Sequence, residues 1–183
     1  DLLIDRVAET PKIPLFAIEQ ADGRWHDVSG EDFLAQVQVV AKGLIASGIQ
    51  PGQAVAIMSK TRYEWTLIDF AIWFAGAVSV PIYESSSATQ MQWILSDSDS
   101  VAVFLETSEH LERFESIKAS VPLARQIFRL DEDAIELLLL GEEVELLRAP
   151  HGGGAEFFVH ARLEDDVLLG QMLAGGHQRL VVA

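Results

Sequence analysis

The sequence predicts an α/β fold, with a largely parallel sheet, helices on both faces and a small N-terminal hairpin. Three observations carry this. Short runs fit for strands, at residues 54–58, 78–82, 101–105 and 125–129, alternate with longer stretches of helical periodicity. The connections between them are short, as right-handed parallel crossovers require. Residues 54–58 are apolar throughout, which is the mark of a strand covered on both sides.

The elements follow in order. Residues 14–19 alternate and read as a strand; Ala21-Asp22-Gly23 supplies turn chemistry, and residues 24–28 return as the second strand of a hairpin. Ser29 begins a helix, with Asp32 three residues on as a variant of the capping box. Phe33, Val37, Val40, Leu44 and Ile45 fall on one face of that helix. Gly48 ends it, and Pro51-Gly52 turns the chain into the strand at 54–58. A helix over 63–75 and a strand at 78–82 come next. A helix over 89–96, a strand at 101–105, a helix over 108–119 with Ser108 as its N-cap, a strand at 125–129 and a helix over 131–140 complete the pattern.

Beyond Gly141 the character changes. Residues 136–147 are rich in leucine and glutamate and read as one helical stretch broken near Gly141. Pro150-His151-Gly152-Gly153-Gly154 is a loop or linker. Residues 155–161 read as a strand, 163–169 as a helix and 180–183 as a strand, with Gly175-Gly176 as a turn. Two units are therefore expected: an α/β unit over 1–148, and a linker with a small tail over 149–183.

Among 183 residues, 28 are acidic and 13 basic, a formal charge of −15. That balance disfavours nucleic acid and anionic membrane surfaces as partners. It suits a soluble chain, and a cytoplasmic location is expected. With no cysteine there are no disulfides and no Cys-based zinc sites. The opening Asp1-Leu2-Leu3-Ile4-Asp5 has no basic region of the kind that starts a secretory signal. The uncharged, largely apolar run 70–83 is too short to span a bilayer and contains Pro81, so no transmembrane segment is expected.

Few residue groups point to chemistry. In Arg62-Tyr63-Glu64-Trp65 and the helix that follows, Tyr63, Leu67 and Phe70 share one side, and Trp65, Ile68, Ile72 and Trp73 another. Both sides read as packing surfaces, with Arg62 and Glu64 near the helix N-terminus, where an acid is favoured. Val80-Pro81-Ile82-Tyr83-Glu84-Ser85-Ser86-Ser87 ends a strand in a hydroxyl-rich loop. Ligands of open α/β sheets bind at that edge, so Tyr83, Ser85 and Ser86 are the candidate substrate contacts. Ser87 reads as the N-cap of the next helix.

His151-Gly152-Gly153-Gly154 matches an esterase oxyanion loop in form, but no serine follows Ser120 and no Gly-x-Ser-x-Gly occurs. It is not completed as a phosphate loop either. His26, His110, His151, His160 and His177 have no metal-ligand spacing. No catalytic residue, cofactor ligand or metal ligand is assigned.

Residues 59–105 carry Arg62-Tyr63-Glu64-Trp65, Ala75-Gly76-Ala77-Val78 and Val80-Pro81-Ile82-Tyr83. Before them stand Pro14-Leu15-Phe16, Asp22-Gly23-Arg24-Trp25, Gly43-Leu44 and Gly48-Ile49-Gln50-Pro51-Gly52. In this order and spacing, over about residues 7–140, the chain resembles the N-terminal part of the bacterial long-chain fatty-acid CoA ligases. These are adenylate-forming acyl-CoA synthetases. The resemblance implies a known reaction. A fatty acid and ATP, with Mg²⁺, give acyl-adenylate and pyrophosphate, and the acyl group then passes to the thiol of coenzyme A. It also implies that the helix bearing Trp65 is a scaffold element.

The family's SGTTGxPKG-type phosphate loop, its acidic ribose-holding motif and its catalytic lysine match no position here, so no catalytic residue carries over. The expectation is a fragment or remnant of such a ligase, inactive and without cofactor on its own. The alternative is a non-catalytic acyl- or protein-binding module of the same fold, able to self-associate through uncovered apolar surface. Ala161-Arg162-Leu163-Glu164-Asp165, Gly170-Gln171 and residues 179–183 faintly resemble the family's C-terminal domain; an unrelated tail is the other reading.

Overall fold

The computed structural model of the chain describes residues 2–19, 22–130, 143–148, 155–162 and 177–178. The first helix, α1 (Leu2–Glu9), leads into the hairpin β1 (Pro14–Glu19) and β2 (Trp25–Ser29). Helix α2 (Gly30–Ala46), strand β3 (Ala54–Met58), helix α3 (Tyr63–Phe74) and strand β4 (Val78–Ile82) follow. Then come α4 (Ala88–Asp97), β5 (Ala102–Leu105), α5 (Ser108–Ile117), a 3₁₀ turn at Lys118–Ser120 and β6 (Gln126–Arg129). Strands β7 (Glu143–Arg148), β8 (Ala155–Arg162) and β9 (His177–Gln178) complete the described elements.

The main sheet has the order β4-β3-β5-β6-β8-β7-β9. The five strands from β4 to β8 are parallel; β7 runs antiparallel to both β8 and β9. Among the described residues β4 is an edge strand, which suits Pro81 within it, since proline has no N–H to give a second neighbour. The hairpin forms a separate two-stranded sheet.

Side-chain alternation along the strands divides the core. Val55, Ile57, Ala102, Phe104 and Phe128 face α2 and α3, where Leu44, Ile68 and Ile72 pack on them. Phe104 and Phe128 stack with centroids 4.6 Å apart. Ala56, Met58, Val103, Leu105 and Ile127 face the opposite layer and meet Met91 and Leu95 of α4 and Phe114 and Ile117 of α5. A third cluster joins α1 and the hairpin to the outer side of α2 and α3, through Leu3, Val28, Phe33, Val37 and Leu67. Helix α3 is thus covered on two sides, as its near-continuous apolar sequence requires.

The turns at the amino ends of β3 and β4 interlock. Gly52 donates its N–H to the Gly76 carbonyl at 2.8 Å, and Val78 donates to the Gln53 carbonyl at 2.8 Å. Gly76 has φ +76°, and a Cβ there would lie 3.3 Å from Pro51 Cβ. A side chain at this position would meet both a strained backbone and a proline ring.

The α/β class, the parallel order and the hairpin agree with the sequence, and strands 54–58 and 78–82 have the bounds read from it. Several details are corrected. Helix α1 was not read; with only eight residues it shows little more than a Leu3/Val7 pair. The N-cap of α5 is Thr107, whose hydroxyl accepts the His110 N–H, and Ser108 is the first helical residue. Ile45 is 53% exposed, because the buried stripe of α2 runs through Ala41 and Leu44 and turns Ile45 away. Trp73 is 54% exposed and meets the Phe70 ring in a tilted contact, with centroids 5.4 Å apart.

Residues 143–148 form a strand where a helix was read; Glu143-Val144-Glu145-Leu146 has the period of two that pairing with β8 uses. The strand read at 155–161 is β8. The helices read at 131–140 and 163–169, the strand at 180–183, the loop at 150–154 and the turn at Gly175-Gly176 lie outside the described residues.

Candidate functional site at the carboxyl edge of the sheet

Parallel strands end together, so their exits gather on one edge. Strand β3 exits into Ser59-Lys60, β5 into Glu106-Thr107, and β4 into the loop Tyr83–Ser87. The register sets Met58 beside Leu105, which makes Ser59 and Glu106 neighbours across 47 residues of sequence.

The Glu106 side chain is 6% exposed and gathers four donors. The Ser59 hydroxyl donates to it at 3.1 Å, the Lys60 N–H at 2.9 Å and Arg62 Nη1 at 3.0 Å. Lys60 Nζ stands 3.3 Å away. Burial pushes the Glu106 carboxyl up, but the donors from Lys60, Ser59 and Arg62 outweigh it and hold the group below the usual carboxylate range. Arg62 Nε also binds buried Glu64 at 2.5 Å. For Arg62, burial lowers its pKa, while Glu64 and Glu106 together raise it further.

Arg62 is the N-cap residue of α3 by backbone but makes no side-chain cap, since a guanidinium has no acceptor for the helix N–H groups. Tyr63 donates its hydroxyl to Gln36 Oε1 at 2.8 Å, linking α3 to α2. Burial, with the negative charges of Glu64 and Asp32, pushes its phenol well above the ordinary value. The group Ser59, Lys60, Arg62, Glu64 and Glu106 is therefore a closed electrostatic staple between β3, β5 and α3. Its carboxylates are already matched by cations and N–H groups.

The three sequence candidates lie together on the loop after β4 but differ in access. Tyr83 is 85% exposed and Ser85 is exposed, while Ser86 is 7% exposed. The Ser86 N–H donates to the Tyr83 carbonyl at 2.9 Å, closing a turn. Ser87 caps α4 with a full capping box: its hydroxyl accepts the Gln90 N–H, and Gln90 Oε1 accepts the Ser87 N–H at 2.8 Å. From α5, Arg113 Nη1 donates to the carbonyls of Glu84 and Ser86, each at 2.9 Å.

Sequence reasoning missed Glu106 and Arg113. The usable signal for Glu106 was an acid directly after a fully apolar strand, opposite the basic Lys60 and Arg62. Arg113 gave none, since an arginine on a helix surface is commonplace.

The exits of β3, β4 and β5 contain no glycine, the residue that most readily brings backbone N–H groups close to a phosphate. Among the described residues no three His, Cys, Asp or Glu side chains are placed to hold a metal ion.

A family model described as AMP-binding enzyme matches residues 4–161, most of the chain. The chain belongs to the AMP-binding enzyme family. Within this family it is 46% identical over 109 residues to the long-chain-fatty-acid–CoA ligase FadD15 of Mycobacterium bovis, and 45% identical to that of Mycobacterium tuberculosis. Each match covers 60% of this chain and 18% of the relative, so the chain spans less than a fifth of the length of these relatives. In fold it resembles a long-chain-fatty-acid CoA ligase structure from Rhodopseudomonas palustris, with TM-score 0.64 and 19% identity over 85% of this chain and 34% of that one. It likewise resembles the anthranilate CoA ligase AuaEII in complex with anthranoyl-AMP, with TM-score 0.63 and 18% identity over 88% of this chain and 33% of that one.

Proposed function

We propose that the protein serves as the N-terminal α/β layer of an ATP-dependent long-chain fatty-acid CoA ligase. In this reading the whole enzyme makes acyl-adenylate and then acyl-CoA in the cytoplasm from a fatty acid, ATP with Mg²⁺, and coenzyme A. These 183 residues alone are inactive. The observation that supports it is the 46% identity to FadD15 over 109 residues, far above the level at which fold alone is shared. Among the described residues no helix is long and apolar enough to cross a membrane. Residues 1–148 form the ligase-like unit, and 149–183 a linker and tail whose strand β8 docks beside β6.

A second reading, a non-catalytic module that binds acyl chains or protein, or a second copy of itself, draws on Trp25, Trp73 and Trp93, all more than half exposed. One experiment separates the two. Pyrophosphate release is measured with palmitate, ATP and Mg²⁺, for this chain and for a full-length polypeptide carrying it. The ligase reading expects release from the full-length protein and none above background from the chain. No release from either favours the module. Release from the chain alone ends the claim that it is inactive.

The proposed substrate contacts are Tyr83, Ser85 and Ser86, of which Tyr83 and Ser85 are open to solvent. Tyr83→Ala in the full-length protein is expected to raise KM for at least one substrate several-fold, at unchanged urea midpoint. Unaltered KM for fatty acid, ATP and coenzyme A alike removes the contact.

A further inference from the structure

The backbone of the loop after β4 is fixed at three points. Its start continues the strand, its end is locked by the Ser87–Gln90 capping box, and its middle is held by Arg113. One guanidinium nitrogen serves both the Glu84 and the Ser86 carbonyl, each at 2.9 Å. Both oxygens must therefore aim at one spot, which fixes the Glu84–Ser85 and Ser86–Ser87 peptide planes. Glu109, one turn earlier on α5, binds Nη2 and keeps the guanidinium from rotating away. Tyr83 and Ser85 are left exposed on a backbone with little freedom.

We infer that Arg113 is a positioning residue: it holds the loop so that Tyr83 and Ser85 stand in one prearranged position at the carboxyl edge, ready for substrate. The substrate part rests on the proposed ligase reading; the positioning does not. A rigid contact surface costs less ordering on binding than a mobile one.

The chain has two tyrosines, so 3-fluorotyrosine labelling gives two fluorine resonances. Tyr63, in the third core cluster, reports the core, and Tyr83 the loop. In Arg113→Gln the Tyr83 resonance is expected to move towards that of an unstructured tyrosine while Tyr63 stays in place. The Ser86 amide, which donates to the Tyr83 carbonyl, is expected to exchange roughly tenfold faster. Arg113→Lys, which keeps a charged donor, is expected to recover part of both effects. An unmoved Tyr83 resonance in folded Arg113→Gln overturns the inference, and so does a shift of both resonances together, which is a general loss of structure. In the full-length protein, Arg113→Gln is expected to raise KM with kcat within about twofold; a fall in kcat alone overturns the positioning role. An inactive wild-type full-length protein would count against the ligase reading while leaving the fluorine result to decide Arg113.

Discussion

Glu106→Ala is expected to destabilise the chain by about 2–4 kcal/mol, the range for removing one partner from a buried, hydrogen-bonded charge network. The side chain is almost fully covered, and its loss leaves the Lys60 N–H and one arm of Arg62 without their acceptor, while the Ser59 hydroxyl keeps the Lys60 carbonyl at 2.9 Å. Lys60 is mostly exposed, so its share of the ion pairing is screened and adds little. Glu106→Gln keeps the size and one acceptor, and should lose less, about 1–3 kcal/mol. The two variants also differ from wild type in acid. Glu106 titrates lower when folded than when unfolded, so its contribution is complete above the unfolded carboxyl value of about 4.3 and is lost as pH falls through the folded value. The gap in urea midpoint between wild type and Glu106→Gln should therefore be present at pH 7 and narrow as pH falls below about 4. Equal midpoints at pH 7 for wild type and Glu106→Ala would show that the staple contributes nothing.

The staple also shows what a sequence of this kind reveals and what it hides. Strands 54–58 and 78–82 were legible to the residue because each is a short, largely apolar run bounded by turn chemistry, the first almost wholly buried and the second an edge strand with only Ile82 buried. The two packing sides of α3 were legible because Tyr63, Leu67 and Phe70 obey helical spacing, and so do Trp65, Ile68 and Ile72. The loop at Tyr83–Ser87 was placed correctly at the carboxyl edge, with Ser87 as cap. Glu106 was not legible, because its partners lie 44 to 47 residues away and meet it only through the Met58–Leu105 register. Arg62 was read as a helix-end charge for the same reason: local spacing pairs it with Glu64 and is silent about β5. Trp73 failed differently. Periodicity places a residue on a side of the helix, but it does not set where the covered stripe ends: in the last turn of α3, Ala71 and Ile72 are buried while Trp73 turns outward.

The hairpin and α1 depend on a small cluster of their own, and Phe33 is its centre. Phe33 is 1% exposed, with ring centroids of Phe16 at 4.8 Å, Phe70 at 5.5 Å and Tyr63 at 6.0 Å. These tilted and edge-on approaches are the favoured geometries for aromatic pairs. Phe33→Ala is expected to cost about 3–5 kcal/mol, combining the lost transfer energy with the cavity left between α2, α3 and β1. Phe33→Leu fills part of that space and should cost less, roughly 1–2 kcal/mol. Where the damage appears is the sharper test. The main sheet packs through other residues, so amides of β1 and β2 should lose hydrogen-exchange protection well before those of β3 and β5. Uniform loss across hairpin and sheet would mean that the three clusters unfold as one unit. An unchanged urea midpoint would mean that the aromatic cluster is not what holds the hairpin to the helices.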